Sequence, residues 1–234
     1  MMGTMALFDP NSTFTALRLS VTLACVATTI AVTLGVPFAW WLAYSRSWWR
    51  DVASSLITLP LVLPPTVLGF YLLLLLGPSG LGALAAHITG RSTFAFSFAG
   101  LTIGSVIAAL PYIVQSTQAA FETVGFRPIE IAYTLRAPPL RAFVRVALPL
   151  AAPGIIAGAV IAFAHTIGEF GLVLMIGGDI PGQTRVLSIM LFDNVETGDW
   201  AAAHTIAGGM VAFAFATILV LRLTQTRLTH RTRP

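Results

Sequence analysis

The chain has 234 residues, 56% of them hydrophobic and 9% charged, with a mean hydropathy of +0.86 and a formal net charge of +4. That composition excludes a water-soluble globular domain and predicts an all-α integral membrane protein, because backbone amides in hydrocarbon must be paired within each segment. Every one of the 13 Lys-or-Arg positions is Arg, and the placement of these arginines accounts for the high pI without a nucleic-acid partner.

Stretches free of Asp, Glu, Lys and Arg cover 19–45, 52–90, 92–121, 146–168 and 201–221. Each reaches the roughly 20 residues that a spanning helix needs. Five transmembrane helices are predicted, near 17–44, 53–76, 94–119, 148–176 and 200–222. Residues 1–16 then form an external N-terminal segment, 17–222 the transmembrane domain, and 223–234 a basic cytoplasmic tail. The first apolar run lacks a basic patch before it and is about twice the length of a signal-peptide core, so it reads as a retained helix. Cys25 lies inside it, and as the only cysteine it can form no disulfide within the chain.

Helix two carries Leu59-Pro60-Leu61-Val62-Leu63-Pro64-Pro65, helix three contains Pro111, and Pro149 and Pro153 open helix four. Each proline removes a backbone hydrogen bond and tends to kink its helix. Neighbouring helices could re-satisfy the freed carbonyls, or the broken helices could line a pathway whose walls move. Between helices three and four, the segment 121–147 is polar and bears several arginines. Within it Glu130 to Pro149 is long enough for two short helices on a membrane surface, with Ala137-Pro138-Pro139 supplying the break. Such an insert is a docking knob for a cytosolic partner.

One charge falls inside helix four, Glu169 in HTIGEFG, and an ionisable residue within the membrane marks a functional-site hypothesis. It lies about 24 Å along the helix from Pro153. His165, one turn earlier, shares its face and is a candidate partner. One His and one Glu do not make a metal site.

Arginine near helix ends collects on the cytoplasmic side. With the loop after helix one, the loop 121–147 and the tail inside, Arg46, Arg50, Arg127, Arg136, Arg141, Arg145, Arg222, Arg227, Arg231 and Arg233 face the cytoplasm, and Arg18, Arg91 and Arg185 face out. The N-terminus is thus expected outside and the C-terminus inside. The basic tail is suited to anionic lipid at the membrane surface.

The segment Glu130 to Pro149 resembles the EAA coupling loop of permease subunits of bacterial ABC importers. Glu130, Ala132, Leu135, Ala137, Val146, Leu148 and Pro149 match its pattern, while Ile131 stands where Ala is usual and Arg136 where Gly is usual. LPLVLPPTVLGFYLLLLLG at 59–77, FAFSFAG at 94–100, PLAAPGIIAGAVIAFAHTIGEFG at 149–171 and IPGQTR at 180–185 narrow the resemblance to molybdate-importer permeases, with sulfate and thiosulfate permeases as close relatives. Arg is usual in that family where His165 stands.

The resemblance implies a type I importer permease that works as a homodimer, with two cytosolic ABC ATPase subunits and an external molybdate-binding protein, in the inner membrane. It implies an ATPase-docking set of Glu130, Ala132, Leu135, Arg136, Ala137 and Arg141, and a translocation-pathway set of Pro64, Pro65, Gly168 and Glu169. The chain is then no enzyme by itself and binds no cofactor. A phosphate-binding loop of the Gly-x-x-x-x-Gly-Lys type requires lysine, so ATP and Mg must sit on the partner ATPase. Two readings compete. Gly77-Pro78-Ser79-Gly80, with His87, His165 or His204 as base, would suit a rhomboid-like intramembrane hydrolase, although a Gly-Pro-Ser turn explains the motif. A structural membrane protein without transport leaves the coupling loop unexplained.

Overall fold

A computed structural model describes residues 10–78, 80, 82 and 93–231, with side chains from Asn11 to Leu223. Ser79, His87, Arg91, Asp9 and the side chains of Arg227, Arg231 and Arg233 fall outside the described residues. All regular structure among those described is helical.

Helix α1 (Pro10–Tyr44) runs the depth of a bilayer, followed by α2 (Trp49–Val62) and α3 (Pro65–Leu76). Next come α4 (Phe98–Val124), the short α5 (Arg127–Thr134) and a long α6 (Pro139–Gly168) that includes one π turn at Phe143–Ala147. The chain ends with α7 (Gly171–Gly177), α8 (Leu187–Glu196) and α9 (Trp200–Arg231). Four segments are long and apolar enough to span: Asn11–Tyr44, Phe98–Val124, Pro139–Gly168 and Trp200–Leu223. With α2 and α3 taken as one span bent by 111°, the count reaches the five expected from sequence.

Several boundaries differ from expectation for physical reasons. Helix two is not continuous, because Pro64 and Pro65 have no N–H to donate and Leu63 and Pro64 are extended, at ψ 138° and 134°. Pro111 by contrast leaves α4 unbroken, and Pro37 leaves α1 unbroken. Helix four does not run on to 176: it stops at Gly168, Glu169 is extended at ψ 127°, and α7 begins at Gly171. Nor does it open at Pro149, which lies inside a helix begun at Pro139. At its other end the chain stays helical from 223 to 231, where only a tail was expected.

The core is built on α4, against which α1 and α6 both pack. One apolar cluster, centred on Ile113, Phe121 and Ile129, fills the end near α5. A second, with Leu101, Leu172 and Ile176, surrounds α7, which is held between α3 and α4. The approach is close: a Cβ built on Gly69 of α3 would stand 2.7 Å from the Met175 Cβ and 3.2 Å from the Leu172 Cα of α7. Helix α9 contacts mainly α8 and α6 and turns Val211, Phe215 and Val220 outward, as a lipid-facing helix does.

Replacing Gly69 with Leu should therefore cost about 1–3 kcal/mol from overpacking, read as a lower melting temperature in detergent. Gly168→Ala, where an added Cβ meets no atom within 4 Å, should leave it unchanged or slightly raised. Equal effects of the two substitutions would contradict this packing.

Candidate functional site

At one end of the bundle α5, a turn and the start of α6 form a hairpin. Gly125, at φ 69° and ψ −179°, lets the chain leave α4 in a conformation that an L side chain resists, and Pro128 then sits in the first turn of α5. The hairpin turn is a Schellman motif: Arg136 N–H donates to the Tyr133 carbonyl at 2.9 Å and Ala137 N–H to that of Ala132 at 3.0 Å. Arg136 holds the left-handed position at φ 57°, where glycine is usual and an L side chain costs about 1–2 kcal/mol. The turn thus survives the departure from Gly.

Leu135 to Pro138 make the break, and Pro139 starts the next helix. The hairpin is not two separate short helices, since its second limb continues into the membrane as α6. Pro149 lacks an N–H for the Arg145 carbonyl and its ring crowds that carbonyl. The π turn lies there, with Leu148 N–H donating to Phe143 O.

The two faces of the hairpin differ. Ile129, Ala132 and Ala142 are buried in the core cluster, and Ala137 is half-buried beside them. Glu130, Ile131, Leu135, Arg136, Leu140 and Arg141 face outward, with Leu135 78% and Leu140 74% exposed. Of the six docking residues drawn from the sequence, Ala132 therefore seats the hairpin, whereas Glu130, Leu135, Arg136 and Arg141 present it. An aromatic cluster makes the seat stiff. Trp40 packs edge-on against Tyr44, Phe121 and Phe143 with centroids 4.6–5.0 Å apart. The Tyr44 hydroxyl lies 2.8 Å from the Phe121 carbonyl oxygen and 3.1 Å from that of Gly125, tying α1 to the root of the hairpin. Alongside, Arg50 pairs with Glu122 at 3.0 Å and joins α2 to α4.

The two helix breaks meet within the bundle. A Cβ on Gly171 would lie 3.3 Å from both Pro65 Cβ and Thr66 Cγ2, so the start of α7 abuts the start of α3. Pro64, Pro65 and Gly168 are exposed beside this junction, while Glu169 is 7% exposed. The Glu169 carboxylate turns into the protein: one oxygen is 3.1 Å from His165 Nε2, and the other accepts from Leu172 N–H at 3.3 Å. His165 Nδ1 stands 3.3 Å from the Tyr112 hydroxyl of α4, and Ser188 of α8 donates to the Glu169 carbonyl at 2.6 Å. A neutral imidazole with its proton on Nε2 satisfies both contacts, accepting from Tyr112 and donating to Glu169. The expected His165 partnership is present. Tyr112 and Ser188 were not legible, because they lie far off in sequence. Among the described residues no cluster of three His, Cys, Asp or Glu could hold a metal.

At the opposite end, the loop after α7 is closed by a clamp that sequence reasoning missed. Arg185 pairs with both oxygens of Asp179 and, at 3.2 Å, with Asp193 of α8. Its hydrogen bonds hold the Asp179 carboxyl below the ordinary value. Burial first, and the nearby Asp179 next, push Asp193 up to about 6.

Two outcomes follow from this geometry. Arg136→Gly should relieve the left-handed turn and raise stability by about 0.5–1 kcal/mol, read by thermal unfolding, and no gain would contradict the strained turn. Because Asp193 has a raised folded-state value, its contribution to stability is complete below its unfolded value of 3.8 and fades as pH climbs through about 6. Asp179 acts in the opposite sense, contributing above 3.8 and losing that contribution as pH falls below it. Asp193→Asn should hence flatten the drop in melting temperature between about pH 4 and pH 6; an equally steep drop would remove Asp193 as its source.

Against this geometry, comparison with known proteins is consistent at each level. Residues 35–233 match the family model of the binding-protein-dependent transport system inner membrane component. The molybdenum transport system permease protein ModB of Azotobacter vinelandii is 50% identical over 206 residues, 88% of this chain and 91% of that one. The sulfate transport system permease protein CysT of Salmonella typhimurium is 30% identical over 217 residues, 92% of this chain and 78% of that one. The fold is shared with an inward-facing MetNI methionine ABC transporter, at a TM-score of 0.70 and 16% identity over 95% of this chain and 96% of that one. With its helical spans, its hairpin and a match over most of its length, the chain belongs to the family of inner membrane components of binding-protein-dependent transport systems, the non-catalytic permease subunits of ABC importers.

Proposed function

We propose that this permease moves molybdate, or the chemically similar tungstate, from an external binding protein to the cytoplasm. The observation that carries the reading is the 50% identity to a molybdenum permease along nearly the whole of both chains, against 30% to a sulfate permease. Two copies of the chain enclose the pathway, and two cytosolic ATPase subunits dock on the two hairpins. The hairpin end is cytoplasmic, where most arginines gather, and the N-terminus is outside. The basic residues after α9 rest on anionic lipid.

The outward face of the hairpin suits this docking. Ile131, Leu135 and Leu140 offer apolar contact, while Glu130, Arg136 and Arg141 fix register by charge. The chain has no lysine, so ATP and Mg are held by the ATPase. When those subunits close, the hairpins are drawn together, and α6 carries the displacement inward because its helix continues from hairpin to Gly168. It ends where α3 and α7 abut, so a shift of α6 moves the junction at Pro64, Pro65 and Glu169. Opening and closing there gives alternating access, and hydroxyls with proline-freed carbonyls shield the dianion in transit.

Two measurements test this reading. Glu130→Lys should abolish the ATP-driven uptake of molybdate while leaving membrane insertion intact; unchanged molybdate-stimulated ATPase activity would remove Glu130 from the docking surface. In proteoliposomes with the cognate ATPase and binding protein, ATP hydrolysis should respond to molybdate and tungstate at far lower concentration than to sulfate. The reverse order would make this a sulfate permease with the same coupling.

A further inference from the structure

At the end of the bundle opposite the hairpin, a cavity of about 660 Å³ opens between the first turns of α1, the start of α4 and the loop after α7. At about 30 Å³ per water, it has room for roughly twenty waters, enough for a partly hydrated tetrahedral anion. Its walls include Thr15, Arg18 and Thr22 of α1, Ser97 at the cap of α4, and Gly182 and Gln183 at the tip of the loop. The hydroxyl protons are already committed: Thr15 donates to the Asn11 carbonyl, Thr22 to that of Arg18, and Ser97 to that of Phe94. The proton donors left on the side chains are the Arg18 guanidinium and the Gln183 carboxamide.

Charge sets the sign of the ligand. Of the two arginines described at this end, Arg185 is held by Asp179 and Asp193, whereas Arg18 takes part in no ion pair among the described residues. The clamp also neutralises much of the acidic charge at the base of the loop, and it fixes the tip that carries Gln183. Further support comes from the Ile180 carbonyl, which accepts from the N–H groups of Gln183, Thr184 and Arg185 at 2.9–3.1 Å. An unpaired guanidinium beside a polar, water-accessible cavity attracts an oxyanion, which it can hold by two parallel hydrogen bonds.

We infer that Arg18 and Gln183 form a receiving site for a tetrahedral oxyanion at the external mouth of the permease, distinct from the membrane junction. The inference deepens the molybdate reading and rests on it for the identity of the anion, though not for its chemistry. The site takes the oxyanion that the external binding protein releases, and the phosphate of a lipid headgroup, which has the same chemistry, is the competing source.

The permease–ATPase complex in nanodiscs of phosphatidylcholine alone, without binding protein, provides the test. Labelled molybdate should bind saturably; Arg18→Gln should weaken that binding about tenfold, the loss expected for one hydrogen bond to a charged group. Arg18→Lys should recover most of it, and Gln183→Ala should lose some of it. A matching melting temperature for each variant excludes misfolding. Three results would overturn the site: no saturable binding of molybdate or sulfate, binding that Arg18→Gln leaves unchanged, or anionic lipid that copurifies with the parent, is lost in Arg18→Gln and blocks molybdate when phosphatidylglycerol is included. Arg18-dependent binding of sulfate but not molybdate would uphold the site and move the cargo to sulfate. Molybdate uptake that survives in Arg18→Gln with unaltered binding would reject the site and leave the permease reading standing.

Discussion

The constraint on which this structure depends is that a backbone amide in hydrocarbon must find a partner inside the protein. Helices satisfy it alone, but a broken helix does not, and this bundle contains two breaks, at Leu63–Pro64 and at Glu169–Phe170. The two are brought together, with Glu169 buried at the second break and Pro64 and Pro65 exposed beside it. The Glu169 carbonyl is satisfied by Ser188, its carboxylate caps Leu172 N–H, and Gly171 allows α7 to rest on Pro65 and Thr66. The resulting junction joins α3, α6 and α7 and, through Ser188 and Tyr112, α8 and α4. Irregular backbone survives here because groups from four helices, α4, α6, α7 and α8, share its hydrogen bonds while α3 packs against it.

The hairpin is held stiffly at its root. Its buried face sets the small residues Ala132 and Ala142 beside Ile129, and the two alanines let the hairpin sit close against the bundle. Around them Trp40, Tyr44, Phe121 and Phe143 interlock, so α1 and α4 hold the hairpin at its root. The exposed face needs no such shape and combines apolar and charged side chains.

The sequence made the helical membrane class legible because apolar runs of spanning length have few alternative explanations. The hairpin was readable in outline from Glu130 to Pro149, and the replacement of the usual Gly by Arg136 marked the turn position itself. Its continuity with α6 was hidden, since Pro138, Pro139 and Pro149 all suggest interruption and only the π turn shows how the helix absorbs the last. The pairing of His165 with Glu169 followed from helical spacing, being local. Tyr112, Ser188 and the Asp179–Arg185–Asp193 clamp carried no signal of that kind, because each contact is set by how distant helices pack or by how one loop folds.

The unbroken run of α6 has a mechanical consequence. Thirty residues at about 1.5 Å each make a rod roughly 45 Å long. Pivoting such a rod near one end by about 5° sweeps the other end through roughly 4 Å, about the length of one residue in an extended chain. A lever arm of that ratio would turn a small movement of the hairpin into a displacement wide enough to separate the abutting helix ends, and a flexible link in its place would absorb the stroke.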